Sequence, residues 1–76
     1  MNRWRPCKRA TFVRKLRRLN FDGPFSGARH QFMIFAGHRL AIPSNDEYST
    51  PRLRFMLREV ERLLNRDMDA GEWNDL

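Results

Sequence analysis

Two segments near opposite ends of the chain each carry a single apolar helical face, and neither can fold alone. Phe12, Val13, Leu16 and Leu19 recur at i, i+1, i+4 and i+7, which predicts a helix over about 8–20 with one apolar stripe. Leu53, Met56, Leu57, Val60, Leu63 and Leu64 repeat the pattern, and Thr50-Pro51 before them reads as N-cap and first helical residue of a helix running to about 66. Between the helices, His30 to Phe35 is a dense apolar and aromatic run, a strand by composition. Arg39-Leu40-Ala41-Ile42 alternates and stops at Pro43, as a partner strand does, with Ala36-Gly37-His38 as the hairpin turn. Phe25 to Ala28 supplies a brief first strand. Two one-faced helices need a common surface, and an antiparallel sheet provides it. The expectation is α+β: a small two-layer domain in the order α-β-β-β-α, with Asp69 capping a short C-terminal helical turn around Trp73.

At 76 residues the chain has room for one domain. Residues 1–7 read as a loose basic tail, 8–66 as the core and 67–76 as the C-terminal turn. No apolar run approaches the roughly 20 residues of a membrane span, and the basic N-terminus lacks the apolar stretch of a secretory signal. A single cysteine, Cys7, cannot staple the fold, so a reducing, cytoplasmic setting is expected.

The charge is lopsided. Residues 1–45 hold ten Lys/Arg against one acid, Asp22, a net +9, whereas residues 46–76 hold five Arg against eight acids, a net −3. A basic half rich in arginine, whose planar fork suits phosphate, suggests a polyanion, with nucleic acid ahead of an anionic membrane. Lys8, Arg9, Arg14, Arg29 and Arg39 are the candidate phosphate contacts.

Catalytic motifs are sparse. Ser26 lacks the Gly-x-Ser-x-Gly elbow of a serine hydrolase. Gly23 and Gly27 do not make a phosphate loop. Cys7, His30 and His38 are too few for a metal site, so no metal and no small-molecule cofactor is expected. His30 is the more telling histidine because it stands beside Arg29 where the chain turns into the sheet. RNA carries its own nucleophile, the ribose 2′-hydroxyl, so a ribonuclease needs little beyond a proton-moving group and cations for the phosphate. His38 reads as a turn residue. Phe32 to Phe35 are read as core rather than as a stacking platform for bases, and the Arg54–Arg58–Arg62–Arg66 stripe as a helix face partly paired with Glu59 and Glu61. Both faces of 32–35 are apolar, so the sequence leaves open which cations lie near His30.

The stretch from Arg14 to Phe21, then Gly27-Ala28-Arg29-His30-Gln31-Phe32-Met33, then Arg39-Leu40-Ala41-Ile42-Pro43 and Leu53-Arg54-Phe55-Met56-Leu57-Arg58, resembles in order and spacing the HicA toxin family, including its YcfA-like members. The resemblance covers about residues 8–66. It implies a double-stranded-RNA-binding-domain-like fold and a metal-independent endoribonuclease that cleaves messenger RNA as the toxin of a type II toxin–antitoxin pair. The family's catalytic histidine falls on His30, and the implied partner is an acidic HicB-like antitoxin protein. The chain departs from the family pattern at Ala28, where Gly or Ser is usual, and at Asn20, where Gly is common. The competing expectation is a non-catalytic RNA-binding module of the same fold. A DNA-binding accessory protein is disfavoured because no helix-turn-helix is evident.

Overall fold

The computed structural model describes residues 3–76. Its elements are β1 (Cys7–Lys8), α1 (Arg9–Arg18), β2 (Asp22–Phe25), β3 (Gln31–Phe35), β4 (His38–Ile42), β5 (Glu47–Tyr48), α2 (Thr50–Leu64) and α3 (Ala70–Asp75). The domain is α+β. β2, β3 and β4 form an antiparallel meander, and β1 pairs with β5 in a separate two-stranded ribbon.

A two-residue turn sets the register. Ala36 and Gly37 both take positive φ, 50° and 80°, the turn geometry whose twist matches that of the flanking strands. His38 therefore begins β4 instead of ending the turn and pairs with Phe35, so Met33 meets Leu40 and Gln31 meets Ile42. Side chains alternate across a strand, which sends Met33, Leu40 and Ile42 to the buried face, each at most 5% exposed. Phe32, Ile34, Arg39 and Ala41 take the opposite face. The run expected to be all core is thus divided between two surfaces.

The buried face meets Phe12 and Leu16 of α1 and Leu53, Met56, Leu57 and Val60 of α2 in one core. Phe12 lies edge-on to Tyr48 and tilted against Trp73, both at 5.5 Å between ring centroids. Phe21 stacks on Phe35 at 4.8 Å. Burying such side chains stabilises by about 1.5–3 kcal/mol each.

Both long helices end in the same motif. The Asn20 and Phe21 N–H groups donate to the carbonyls of Arg17 and Leu16, and those of Asn65 and Arg66 to Arg62 and Glu61. Asn20 and Asn65 take left-handed φ, 72° and 58°, a conformation asparagine tolerates better than most residues. Asparagine at position 20 therefore serves where glycine would be the usual choice. The cap of α2 lies one residue before the expected Thr50: Ser49 Oγ accepts the Arg52 N–H at 3.4 Å, and Thr50 and Pro51 open the first turn. Asp69 caps α3 as expected, accepting the Glu72 N–H at 2.8 Å.

Three local expectations are corrected. The first strand is Asp22–Phe25, earlier than 25–28: Asp22-Gly23-Pro24, residue types that ordinarily form turns, lie inside a strand that is irregular at its pairing with β3. His30 belongs to the bend before β3. The N-terminal segment is anchored: Cys7 is buried and paired in β1, Trp4 packs against the core, and Asn74 Nδ2 donates to the Arg3 carbonyl at 3.1 Å. Met1 and Asn2 of the expected tail lie outside the described residues. No helix among the described residues is long and apolar enough to cross a membrane.

Candidate functional site

His30 sits exposed in the bend of residues 28–30, between β2 and β3. Gly27 explains the bend's shape, since a Cβ on it would lie 2.3 Å from the His30 carbonyl oxygen. Only glycine lets the chain pass that close to its own backbone. The Phe32 ring would also stand 3.3 Å from that Cβ, so the base of the bend is packed.

Cations reach this end of the sheet from two other elements. Arg9, in the first turn of α1, donates from its guanidinium to Gln31 Oε1, one residue along the chain from His30. Arg39 projects from β4 and lays its guanidinium over the Phe32 ring, 4.3 Å from the centroid. Arg29 is exposed next to His30 in the bend. Lys8 is exposed just before Arg9. Arg29, Lys8 and Arg9 therefore come from the bend or from the start of the helix tied to it, whereas Arg39 stands on β4 opposite Ile34, on the sheet face away from Gln31, and reaches Phe32 along that face. Arg14 sits apart on α1, near enough to Cys7 and Lys15 to act on their charges, and lines a shallow groove with Arg17 and Arg18.

The start of α1 is electrostatically unusual. The positive end of a helix dipole favours acids and disfavours cations by a few tenths of a kcal/mol each. Lys8 and Arg9 stand there with no acid in the first turn and no side-chain cap, while the Arg9 N–H donates to the Asp46 carbonyl at 2.9 Å. An anion at this end of the domain would meet both side-chain cations and the helix dipole.

Gln31 escaped the sequence reading. Its signal was a polar residue opening an apolar strand, and its partner, Arg9, lies twenty-two positions away. His38 stands exposed at the other end of the hairpin, where it opens β4 opposite Phe35. The arginine stripe of α2 is largely committed as well. Arg54 lies over Trp4 at 5.4 Å, Arg62 pairs with Glu59, and Arg66 pairs with Glu72 at 2.6 Å. Glu61 accepts the Met68 N–H at 2.7 Å instead of pairing with an arginine.

Two buried polar side chains stand away from His30. Lys15 is only 7% exposed; its Nζ donates to the Trp73 carbonyl at 2.7 Å and lies 5.0 Å from the Trp73 ring centroid. Burial holds its pKa below the ordinary lysine value. Burial pushes the Cys7 thiol up, with the nearby Lys15 and Arg14 charges opposing that shift. A raised thiol pKa makes a poor nucleophile, so Cys7 is a core residue. Among the described residues, no three His, Cys, Asp or Glu side chains gather as a metal-ligand set.

Comparison of the chain with protein-family models, with curated proteins and with solved structures finds no match, leaving the residues and their geometry as the basis for a functional reading.

Proposed function

We propose that this chain is a ribonuclease toxin of the HicA type, a metal-independent endonuclease that cleaves messenger RNA in the cytoplasm and so stops translation. The observation that carries the reading is the setting of His30: an exposed imidazole on a bend fixed by Gly27, beside Arg29 and next to the Arg9–Gln31 hydrogen bond. The order helix, three-stranded antiparallel meander, helix supports a double-stranded-RNA-binding-domain-like arrangement.

The chemistry needs few groups. The ribose 2′-oxygen attacks the adjacent phosphorus, the bond from phosphorus to the 5′-oxygen breaks, and a 2′,3′-cyclic phosphate and a 5′-hydroxyl result. One proton must leave the 2′-hydroxyl and one must reach the 5′-oxygen. His30 carries one of these transfers, as general base or general acid. Arg29, next to His30 in the bend, stabilises the charge that builds on the phosphate oxygens, and Arg9 and Arg39, on opposite faces of the sheet, add to the positive field around it. Its inhibitor would be an acidic antitoxin protein, since a surface shaped for phosphate also attracts carboxylates.

The test is incubation of the purified protein with a labelled messenger transcript, with and without EDTA, beside His30→Ala and His38→Ala. The expected result is cleavage that survives chelation, falls by about 10²–10⁴-fold in His30→Ala, and changes little in His38→Ala. Unchanged cleavage by a folded His30→Ala protein overturns the assignment. RNA binding without cleavage by the parent makes the chain a non-catalytic RNA-binding module.

A further inference from the structure

The sheet has a second face, and it is bare. Phe25 of β2 pairs with Phe32 of β3, and their rings lie 5.6 Å apart on the side away from the helices. Phe25 is 42% exposed, one of two large apolar side chains in the described residues left so open. Ile34 and Ala41 share the surface, and the Arg39 guanidinium covers Phe32. The one acid on this face is Asp22, opposite Ile34. Phe32 stands two residues beyond His30, so the surface begins where the bend ends.

We infer that the outer face of the β2–β3–β4 sheet is a stacking platform for the bases of single-stranded RNA running past His30. The inference rests on the ribonuclease reading and adds to it the form of the substrate. Three features of the face favour RNA over an apolar partner. Its exposed Phe25 ring and the aliphatic Ile34 and Ala41 are accompanied by a planar cation, Arg39, which lies over Phe32. It belongs to the half of the chain that carries a net +9. It also adjoins Arg29, which can hold the phosphate between two stacked bases. Bases stack on aromatic rings and on guanidinium planes alike. One base is placed on Phe25 and its neighbour on the Arg39 plane that caps Phe32. Only unpaired bases can be splayed in this way, because a duplex buries its base faces.

The experiment uses fluorescein-labelled hexauridine and a short RNA duplex, with binding read by fluorescence anisotropy in the His30→Ala background so that neither probe is cut. Phe25→Ala and Arg39→Lys alter exposed side chains and leave the core untouched. Loss of one stacked base is worth about tenfold or more in affinity. Phe25→Ala is expected to weaken hexauridine binding by about tenfold, while Phe25→Tyr retains it. Arg39→Lys keeps the charge but not the plane, and is expected to weaken hexauridine several-fold. Neither variant changes duplex binding by more than about twofold. Unchanged hexauridine affinity in Phe25→Ala, or equal losses for hexauridine and duplex, overturns the platform. So does a Phe25→Ala protein that binds RNA normally but no longer holds an acidic protein partner. Cleavage by the parent with no effect of Phe25→Ala removes the platform and keeps the ribonuclease. The expected binding losses without any parent cleavage keep the platform and remove the ribonuclease. A parent that neither binds nor cleaves RNA removes both.

Discussion

Gly27 and the His30 carbonyl approach so closely that a methyl group on Gly27 would sit 2.3 Å from the oxygen. The contact is backbone against backbone, so no side-chain rotation relieves it. Gly27→Ala must therefore move the bend that carries His30. Residues 26–30 are all exposed, so global stability should change little. A displacement of about 1 Å in a catalytic group can cost on the order of 100-fold in rate. Gly27→Ala is expected to lower kcat for RNA cleavage strongly while leaving KM within a few-fold, with an unfolding midpoint close to the parent's. Equal rises in KM with kcat preserved would show that the bend binds RNA without positioning the reacting group.

The cations around the bend should differ from those farther along α1. Each phosphate contact on a single strand contributes about −0.7 to the slope of log affinity against log salt. Removing Arg29 or Arg39 as Gln is expected to reduce that slope by about this amount each. Arg14→Gln, placed beside Cys7 and Lys15, should reduce it less. Binding titrations of the His30→Ala protein across salt concentrations measure the slopes. A flat salt response in the parent would mean that the basic half does not contact RNA.

Much of this was legible in the sequence because periodicity survives packing. The stripes of Phe12 and Leu16 and of Leu53 to Val60 marked both helices, and Pro43 ended β4. The facing of β3 was hidden by apolar residues at every position from 32 to 35. Its partner strand held the missing information: a two-residue turn pairs Met33 with Leu40, and Leu40 and Ile42 alternate with Arg39 and Ala41. β1 and β5 have two residues each, too few for any period to show. The link from Arg9 to Gln31 is a long-range contact that only the folded chain creates. The exposed bend at His30 was foreshadowed by Gly27, but not the reason glycine is needed there, which is the backbone 2.3 Å away.

Around the C-terminal helix, the contributions of Trp73 and Lys15 can be separated by magnitude. Trp73 is 2% exposed and packs against Phe12; Trp73→Ala is expected to cost about 3–5 kcal/mol. Lys15→Met keeps the aliphatic stem in place and removes a buried charge. The Trp73 carbonyl still accepts the Leu76 N–H at 3.3 Å, so no acceptor is orphaned. Exchanging a buried charge for an apolar side chain of similar volume is often neutral or stabilising, and Lys15→Met is expected to change stability by under about 1 kcal/mol. Urea unfolding of the two variants checks the order. A larger loss in Lys15→Met would show that the ammonium, not the indole, anchors α3.

The same region sets the response to alkali. Cys7 has a folded pKa raised above the ordinary thiol value of 9.0 by burial. The folded protein therefore keeps the thiol proton longer than the unfolded chain does. The stabilisation is fully present below 9.0 and is lost as pH rises through the folded value. Tyr48 behaves in the same direction above 10.0, again chiefly through burial. Lys15 acts oppositely: its pKa lies below 10.5, so the unfolded chain binds its proton more tightly, and stability gains as pH rises from the folded value towards 10.5. Cys7→Ala isolates the thiol. The parent is expected to lose stability relative to Cys7→Ala as pH rises above 9.0, measured as the difference in urea midpoints. In the folded parent, iodoacetamide should label Cys7 far more slowly than in urea, because the thiolate is scarce and the residue is 7% exposed. Labelling as fast in the native protein as in urea, with a pH-independent stability difference, would mean that the thiol is not held protonated by its surroundings.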